Sequence, residues 1–298
     1  MSDNSRRTVS RRQFASTSAL AALSAAVVPR RVLGAQAPSR KLNIAAIGVG
    51  GMGTANLKAC QAENIVALCD VDSAYSATTV GLFPGARFYK DYRVMLEKEK
   101  GIEAVIVATP DHTHAVITMA VLQAGKHVFC QKPLTHTVFE ARKITEAARR
   151  AGVVTQMGNQ GHSYESMRVL KEWLDDGAIG DVTEVHAWTD RPVGGDPWSD
   201  FVQMAMPRDT PPVPETLDWD MWLGPAPSRA YNSVLSPRGV HQHFPNWRSY
   251  REYSGGMMTD WGAHHFDIAQ WGLGMDDSGP VEIIPPADPK AQKGVKFV

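Results

Sequence analysis

An apolar run that leads directly into a glycine-rich turn constrains the fold of this chain more than any other feature. Residues 42–47 are mostly apolar, and Gly48-Val49-Gly50-Gly51-Met52-Gly53 follows them. In a strand-turn-helix unit of this type, the first glycine permits a tight turn and the second lets the backbone approach a pyrophosphate. The third glycine lets the helix pack closely on the sheet. The pattern therefore predicts a βαβ unit whose glycine turn and helix N-terminus bind phosphate.

An acidic residue lies at the distance from this turn at which a dinucleotide ribose is bound. A second apolar run, residues 65–69, ends in Asp70, which is 22 residues after Gly48. A carboxylate at this point accepts hydrogen bonds from the ribose hydroxyls and repels a 2′-phosphate. The sequence therefore predicts NAD as the cofactor in preference to NADP. The cofactor-binding residues predicted from this unit are Gly48, Gly50, Gly51, Met52, Gly53 and Asp70.

Residues 1–37 are typical of an export signal. Ser10-Arg11-Arg12-Gln13-Phe14 precedes an apolar stretch, residues 15–28, and a small-residue segment at 34–37. This order predicts a twin-arginine signal, and hence a periplasmic or otherwise exported protein that engages the twin-arginine machinery. A disordered basic tail is the alternative. A transmembrane helix is disfavoured because 14 residues are too short to cross the ~30 Å hydrocarbon core of a bilayer, so we expect no stable membrane span.

The distribution of charge excludes two classes of partner. The 37 N-terminal residues hold six arginines and one acidic residue, so the rest of the chain carries a net charge of about −5. That balance argues against nucleic acid and against an anionic membrane surface.

Neither the cysteines nor the histidines have the spacing of a metal site. Cys60, Cys69 and Cys130 contain no C-x-x-C pair, which also argues against a disulfide framework. His241 and His243 have no acidic or cysteine residue at ligand spacing. We therefore predict no bound metal.

After Asp70, short apolar runs alternate with helical stretches, as they do in parallel βαβ units. Six strands are expected in about 115 residues, which is the size of one Rossmann domain. Further strands are predicted at 104–108, 127–130 and 153–157, and helices at 116–123 and 137–150. The sequence therefore predicts an α/β fold with an N-terminal Rossmann domain, built on a parallel sheet, over residues 38–158.

The chain changes character beyond Gly158. An amphipathic helix ends at Gly177, and a strand is predicted at 182–189. Residues 191–253 are rich in Pro, Trp and Tyr, which predicts long ordered loops around a pocket or, alternatively, a pinned surface excursion. Two further strands begin near residues 281 and 294. We predict a substrate-binding α+β domain over residues 159–298 with a mostly antiparallel open sheet, truncated at the C-terminus because so few strands would leave edges exposed.

Polar residues follow two of the predicted strands at the sheet edge where open α/β sheets bind their ligands. One group follows the strand at 104–108, and the other follows the strand at 127–130. Lys132 is expected to face the nicotinamide end of the cofactor. The residues of this edge that we predict to bind the cofactor are Thr109, Pro110, His112, His114, Gln131 and Lys132.

A third polar group, residues 255–267, opens a helix. Asp260 and His264 are four residues apart, so on one helix they share a face and can touch. Asn159 and Gln160 follow the sixth strand and can reach the nicotinamide ring or the substrate. The predicted substrate-binding residues are Lys132, Asn159, Gln160, Trp247, Arg248, Asp260 and His264.

Over about residues 41–274 the chain resembles the family named for glucose-fructose oxidoreductase, inositol dehydrogenase and MocA. The resemblance rests on the glycine turn, Ala108-Thr109-Pro110, Lys132-Pro133 and the pattern Asp260-x-Gly262-x-His264-x-x-Asp267. It implies that Lys132, Asp260 and His264 line the substrate site. The family usually has glutamate before the lysine, whereas this chain has Gln131, which cannot carry a negative charge beside Lys132.

Oxidation of a secondary alcohol assigns roles to these residues. The hydroxyl proton must leave as hydride departs from the same carbon, and we assign His264 as the general base because imidazole titrates near neutral pH. Lys132 stabilises the developing alkoxide. Asp260 orients His264 or binds a neighbouring substrate hydroxyl. Aromatic residues that can stack on a sugar ring, or alternatively pack in a core, are Trp188, Trp198, Trp219, Trp222, Tyr231 and Trp247.

An export signal together with a dinucleotide site implies a cofactor that stays bound, because no free nicotinamide pool is expected outside the cytoplasm. The leading hypothesis is an exported NAD-dependent oxidoreductase that acts on a sugar, polyol or related carbohydrate and restores its cofactor within each cycle. The alternatives are a redox-neutral glycosidase or lyase on the same fold, and a non-catalytic, nucleotide-bearing binding protein. We also expect a homo-oligomer.

Overall fold

A sheet of six parallel strands dominates the computed structural model, which describes residues 41–188, 208–235, 246–285, 287 and 296–297. The strand order is β3-β2-β1-β4-β5-β6, and every neighbouring pair is parallel. The order reverses between β1 and β4, which in open α/β sheets is the point where ligands bind. The strands are β1 (Asn43–Ile47), β2 (Asn64–Cys69), β3 (Arg87–Tyr89), β4 (Ala104–Val107), β5 (His127–Gln131) and β6 (Thr155–Gly158).

Five helices connect these strands, and further short helices follow β6. The connecting helices are α1 (Met52–Ala59), α2 (Ser73–Leu82), α3 (Tyr92–Lys98), α4 (Asp111–Gln123) and α5 (Val138–Ala151). Among the later described residues the α-helices are α6 (Glu165–Asp175), α7 (Trp219–Leu223), α8 (Met257–Asp260) and α9 (Gly262–Gly272).

Both faces of the sheet are buried, which explains why its strands read as continuous apolar runs. Successive side chains of β1 point to opposite faces. Ala45 and Ile47 pack in one apolar cluster, whereas Ile44 and Ala46 pack in another on the opposite face. Helices on both faces provide this cover, as parallel sheets require.

The sequence located most of this sheet, with two differences. It missed β3, because Arg87–Tyr89 has only three residues and pairs only with β2. It also predicted that the helix after β4 begins at residue 116, whereas α4 begins at Asp111. The helix starts early because Pro110 precedes it in an extended conformation and Asp111 supplies an acidic residue to its first turn.

Beyond β6, the predicted strand at 182–189 is not found in its described part. Residues 182–188 are irregular and pair with no strand that the structure describes. A strand needs a hydrogen-bonded neighbour, and none lies alongside this segment there. A two-residue antiparallel ladder does form between β7 (Ile283–Ile284) and β8 (Lys296–Phe297), close to the two predicted strand positions. Within the described ranges, this two-stranded ladder is the antiparallel sheet found in residues 159–298.

Part of the predicted loop region, 191–253, folds around aromatic side chains. Residues 189–207 and 236–245 lie outside the described residues. Of the remainder, Trp219, Trp222, Tyr231, Trp247 and Tyr253 form a buried cluster. Trp219 and Trp222 stack with their ring centroids 4.7 Å apart. The cluster stabilises a segment that has little regular secondary structure, since each aromatic side chain buries a large apolar area.

The contact between α1 and the glycine turn gives a stability prediction. A Cβ atom built on Gly53 would lie 1.9 Å from the carbonyl oxygen of Gly48, so any side chain forces the helix away from β1. We expect Gly53→Ala to lower the free energy of unfolding by about 2 kcal/mol or more, as measured by urea denaturation. Gly85→Ala is the control, because no atom lies within 4 Å of a Cβ at that position. Equal stabilities of the two variants would contradict the close contact.

Candidate functional site

A cavity of about 880 Å³ lies along the carboxyl ends of β1, β2 and β4. Its size is within the range of small-molecule and cofactor sites. Gly53 does not line it and lies beneath it, against Gly48, which is the packing role predicted for the third glycine. The predicted cofactor-binding residues that do line it are Gly48, Gly50, Gly51, Met52, Asp70, Thr109 and Pro110.

Asp70 fastens the glycine turn from the end of β2. Its Oδ2 accepts the backbone N–H groups of Val49 and Gly50, at 2.9 and 3.3 Å, and its Oδ1 accepts that of Asp72 at 2.9 Å. Burial raises the pKa of Asp70 to about 6, although the three backbone hydrogen bonds act in the opposite direction. The carboxylate therefore shapes the turn and also faces the cavity, where the sequence placed the ribose.

Tyr75 is a cavity residue that the sequence analysis missed. Its ring rests on the glycine turn so closely that a Cβ on Gly50 would lie 1.8 Å from Tyr75 Cε1. The turn thus forms a side-chain-free cradle between β1, α1 and Tyr75. A cradle of exposed backbone at a helix N-terminus fits the phosphates of a dinucleotide. No sequence signal marks Tyr75, since it is one residue among several on the first turns of α2.

A second cavity, of about 1100 Å³, adjoins the first and contains the predicted catalytic residues. The two cavities share Met52, Ala108, Thr109 and Arg248 as lining residues. They are therefore neighbouring compartments along the carboxyl edge of the sheet. The predicted residues that line the second cavity are Thr109, His114, Gln131, Lys132, Gln160, Arg248, Asp260 and His264.

Lys132 and Asp260 form a buried ion pair between the two halves of the chain. The Lys132 ammonium donates to the Asp260 carboxylate, and also to the Asp260 carbonyl oxygen at 2.9 Å. The two side chains are 14% and 8% exposed, so water screens the pair little. Gln131 does not contact this ammonium, because its Oε1 accepts the backbone N–H of Lys132 at 3.3 Å. The negative charge that Gln131 cannot supply is present instead as Asp260.

Asp260 does not orient His264 as the sequence analysis suggested. Helix α8 ends at Asp260 and α9 begins at Gly262, so the two residues do not share the face of one continuous helix. The Asp260 carboxylate faces Lys132, and its second oxygen lies 3.6 Å from Arg248 Nε. Among the described residues, the contacts of the Asp260 carboxylate are therefore with Lys132 and Arg248.

His264 lies in the same cavity with an environment that favours the neutral imidazole. Partial burial lowers the pKa of His264, and the positive charge of Lys132 lowers it further, against the smaller opposing effect of Asp260. A neutral imidazole can accept a proton. The neighbouring His265 also lines the cavity.

Side chains on the first turn of α4 form hydrogen bonds with later parts of the chain. Asp111 belongs to the polar group that the sequence placed after β4, although no binding role was assigned to it, and it is buried and accepts the Ser254 hydroxyl at 2.9 Å. His112 lines neither cavity, which corrects its assignment as a cofactor-binding residue. Its Nε2 lies 3.0 Å from the Trp222 carbonyl oxygen, and its ring packs between Trp222 and Tyr253. Burial lowers the pKa of His112 to about 4, so the ring is neutral and Nε2–H donates.

His114 carries a buried positive charge. Its Nδ1 is 2.7 Å from the Pro133 carbonyl oxygen and its Nε2 is 2.8 Å from that of Thr109. Because a carbonyl only accepts, both ring nitrogens must donate, and the ring is an imidazolium. Burial alone lowers the pKa of His114, but Cys130, Asp111 and the Pro133 carbonyl together outweigh it and raise the pKa to about 9. His114 thus ties the loop after β4 to the loop that carries Lys132.

The remaining predicted substrate residues are divided between the compartments. Gln160 lines the second cavity and its Oε1 has no hydrogen-bond partner among the described residues, whereas Asn159 is buried and lines neither cavity. Trp247 lines the first cavity and not the second, which contains Lys132 and His264. Arg248 lies over the Trp247 ring with its guanidinium carbon 4.2 Å from the centroid.

The remaining aromatic and histidine residues named from the sequence lie in the cavities or outside the described residues. Trp188 lines the second cavity, and Trp222 lines the first. His241, His243 and Trp198 lie outside the described residues. Over the described ranges, no helix has the length and apolar character needed to cross a membrane. No group of three metal-ligating side chains comes together within the same ranges.

The raised pKa of Asp70 predicts that cofactor binding depends on pH. Ribose hydroxyls donate to the ionised carboxylate, so protonation of Asp70 removes an acceptor. We expect the affinity for NAD to fall as the pH is lowered through about 6, measured by fluorescence or calorimetric titration. Asp70→Asn should bind NAD more weakly and with no such step. A step that persists unchanged in the asparagine variant would contradict this role.

The imidazolium of His114 predicts a dependence of stability on pH. Its pKa is about 9 in the folded chain and about 6.5 when unfolded, so between these values the folded state holds one more proton. The resulting stabilisation is complete below pH 6.5 and is lost as the pH rises through 9. We expect the unfolding free energy of the wild type, relative to that of His114→Gln, to decline over this window. A constant difference between the two proteins would disprove the charged state.

Both halves of the chain match models of known protein families. Residues 42–159 match the model of the Gfo/Idh/MocA oxidoreductase family for its NAD-binding Rossmann fold. Residues 167–297 match the model for the C-terminal alpha/beta domain of the same oxidoreductase family. The chain therefore carries an NAD-binding Rossmann domain.

Similar curated proteins include inositol 2-dehydrogenases. One from Klebsiella pneumoniae is 34% identical over 146 residues, 47% of this chain and 43% of that protein. Another, inositol 2-dehydrogenase 2 from Saccharopolyspora erythraea, is 31% identical over 151 residues, 49% of this chain and 44% of that protein. The matches thus span less than half of the length of these relatives.

Similar solved structures support the fold. GenD2 from gentamicin A biosynthesis, solved in complex with NAD, has a TM-score of 0.55 and 22% identity, covering 83% of this chain and 57% of that one. An NAD binding oxidoreductase from Klebsiella pneumoniae has a TM-score of 0.54 and 23% identity, covering 82% and 55%. Matched in succession, the two models show that this chain contains Gfo/Idh/MocA oxidoreductase family domains over residues 42–159 and 167–297.

Proposed function

We propose that this chain oxidises a secondary alcohol group of a sugar, polyol or related carbohydrate with NAD. The observation that carries the proposal is the buried pair of Lys132 and Asp260, in a cavity that also holds His264 and adjoins the nucleotide cavity. The similarity to proteins named inositol 2-dehydrogenases supports a polyol or a related ring alcohol. NAD, when bound, supplies the hydride acceptor.

Lys132 is suited to bind the reacting oxygen. An ammonium group has three N–H donors, and two of those of Lys132 point to the carboxylate and carbonyl of Asp260. The third is left to donate to a substrate hydroxyl. As that hydroxyl loses its proton, the fixed positive charge stabilises the developing alkoxide, and low exposure to water strengthens the effect.

His264 is suited to take the hydroxyl proton. Burial and the charge of Lys132 lower its pKa, so the imidazole is neutral and ready to accept a proton at pH 7. Lys132 therefore binds the substrate oxygen as a cation, and His264 accepts the hydroxyl proton as the general base. Arg248, which lines both cavities, lies near Asp260 and gives the substrate a further polar contact.

The preference for NAD over NADP is part of the proposal. Asp70 lines the nucleotide cavity with its carboxylate, and a negative charge disfavours a 2′-phosphate at the same point. Asp72 and Asp220 add two more acidic side chains to the lining of this cavity.

Export through the twin-arginine route is also part of the proposal. It is supported by Arg11-Arg12, the apolar stretch and the small-residue segment that follow them. In the periplasm, the cofactor must remain bound and be restored within each catalytic cycle. Fractionation of cells that produce the full chain tests the location, and absorbance with mass analysis of the periplasmic protein tests for bound NAD. Replacement of Arg11-Arg12 by Lys-Lys is the control for the route.

A homo-oligomer completes the proposal. Ile179 and Trp188, on the rim of the second cavity, are 72% and 77% exposed. Large apolar side chains that are this exposed at one cavity favour a protein contact. Light scattering after size-exclusion chromatography tests the oligomeric state, by measuring the molar mass of the protein in solution.

Substitution of the base tests the proposed chemistry. We expect His264→Asn to lower kcat by about 10²- to 10⁴-fold, the usual contribution of general base catalysis, while NAD binds as in the wild type. The rate with the wild-type enzyme should fall at acidic pH, where His264 becomes protonated, and this limb should disappear in the variant. A screen of sugars and polyols with the purified protein supplies the substrate.

His127→Asn is the matched control for this experiment. His127 begins β5 at the opposite end of the sheet, and its Nδ1 accepts the Val154 N–H. This variant should keep the wild-type kcat. If His264→Asn retains kcat within about threefold, His264 is not the base. Measurement of carbohydrate products together with NADH distinguishes net oxidation from a redox-neutral glycosidase or lyase.

A further inference from the structure

A segment from the second half of the chain crosses the nucleotide cavity. This roof segment, residues 216–224, contains α7 and lies far from the glycine turn in sequence. Four of its residues, Asp220, Met221, Trp222 and Gly224, line the cavity together with Gly48, Gly50 and Gly51. The lining of the cavity is thus built partly by the Rossmann domain and partly by a later part of the chain.

One end of the roof segment is fastened to the linker after Asp70. The Ser73 N–H donates to the Thr216 carbonyl at 3.1 Å, and the Asp218 N–H donates to the Val71 carbonyl at 2.9 Å. These bonds form an antiparallel bridge between Asp72 and Leu217. Lys90 Nζ and Ser73 Oγ also donate to the Thr216 carbonyl, each at 3.3 Å.

The other end of the roof segment is fastened to the first turn of α4. His112 Nε2 donates to the Trp222 carbonyl at 3.0 Å, and its ring packs against the Trp222 ring with centroids 5.2 Å apart. Thr113 completes this anchor, since a Cβ atom on Gly224 would lie 3.2 Å from Thr113 Cγ2. His112 is 2% exposed, so the anchor is buried.

The strand order places these two anchors on either side of the phosphate-binding turn. The first anchor follows β2 and the second follows β4, whereas β1 lies between those strands and leads into the glycine turn. Since the strands are parallel, all three connections emerge at the same edge of the sheet. The roof segment therefore crosses above the glycine turn from one side to the other.

We propose that the roof segment is a part of the NAD site and holds the adenosine-pyrophosphate half of the cofactor against the glycine turn. This inference rests on the cofactor of the proposed function and goes beyond it, because it assigns binding residues outside the Rossmann domain. It makes NAD a resident group: the nucleotide leaves only when an anchor opens. Asp220 and Trp222 supply a carboxylate acceptor and an aromatic face on the roof side of the site.

Removal of the Ser73 donors at the first anchor tests the inference. Ser73 is the first residue of α2 and follows its N-cap Asp72, which has an extended backbone. Proline is tolerated at that helix position and after an extended residue, so Ser73→Pro removes both the N–H and the hydroxyl that donate to Thr216, with little cost to α2. The chain is loaded with NADH and mixed with excess NAD, and the loss of NADH fluorescence gives the rate of release. We expect release from Ser73→Pro to be about fivefold faster or more.

Three further variants make the result decisive. Ser73→Ala removes only the hydroxyl and keeps the N–H, so it should increase release less than proline does. Val138→Pro places proline at the first residue of α5, which is exposed and distant from the roof segment, and should release NADH at the wild-type rate. His112→Leu removes the donor at the second anchor and should act in the same direction as Ser73→Pro.

The outcomes separate this inference from the proposed chemistry. Release is measured without an alcohol substrate, so the result stands whether or not the chain oxidises a carbohydrate. Faster release in both anchor variants supports the roof. If Ser73→Pro does not fold, His112→Leu decides. Wild-type release rates in folded Ser73→Pro and His112→Leu overturn the inference, while a chain that binds no NADH overturns the proposed function as well.

Discussion

The buried contact between Lys132 and Asp260 organises the candidate site. It joins the loop after β5 to the end of α8, two elements separated by more than 120 residues. Isolated charges are costly to bury, so each of these side chains needs the other. Lys132 is also held from the opposite side, since His114 binds the carbonyl of the next residue, Pro133. The ammonium group thus has a fixed position at the edge of the sheet, where two cavities meet.

The sequence predicted the elements whose signals are local. The glycine turn, Asp70 and the apolar strands are short patterns with a fixed spacing, and their physical requirements hold in any Rossmann domain. The meeting of Lys132 with Asp260 was predicted only through the family resemblance, because no local pattern joins residues so far apart. The short strand β3 escaped prediction because three residues, two of them only partly buried, give too little periodicity.

The errors of sequence reasoning at the site have a common cause. The role of His112 and the contact of Asp260 with His264 were both predicted from sequence neighbours. In the fold, His112 is directed to Trp222, a partner 110 residues away, and Asp260 to Lys132. Helix α8 ends after one turn, so a spacing of four residues no longer means a shared face. Tyr75 carries no motif, and only the fold shows that it lines a cavity.

The roof that we propose over the glycine turn implies an order of assembly. Because the two anchors close from both sides, a nucleotide enters most readily before residues 216–224 dock. Once these residues dock, the nucleotide lies beneath them. Its binding then raises the free energy of unfolding of the chain, by about 4 kcal/mol when the ligand is at a thousand times its Kd. We therefore expect the loaded form to melt at a higher temperature than the empty form.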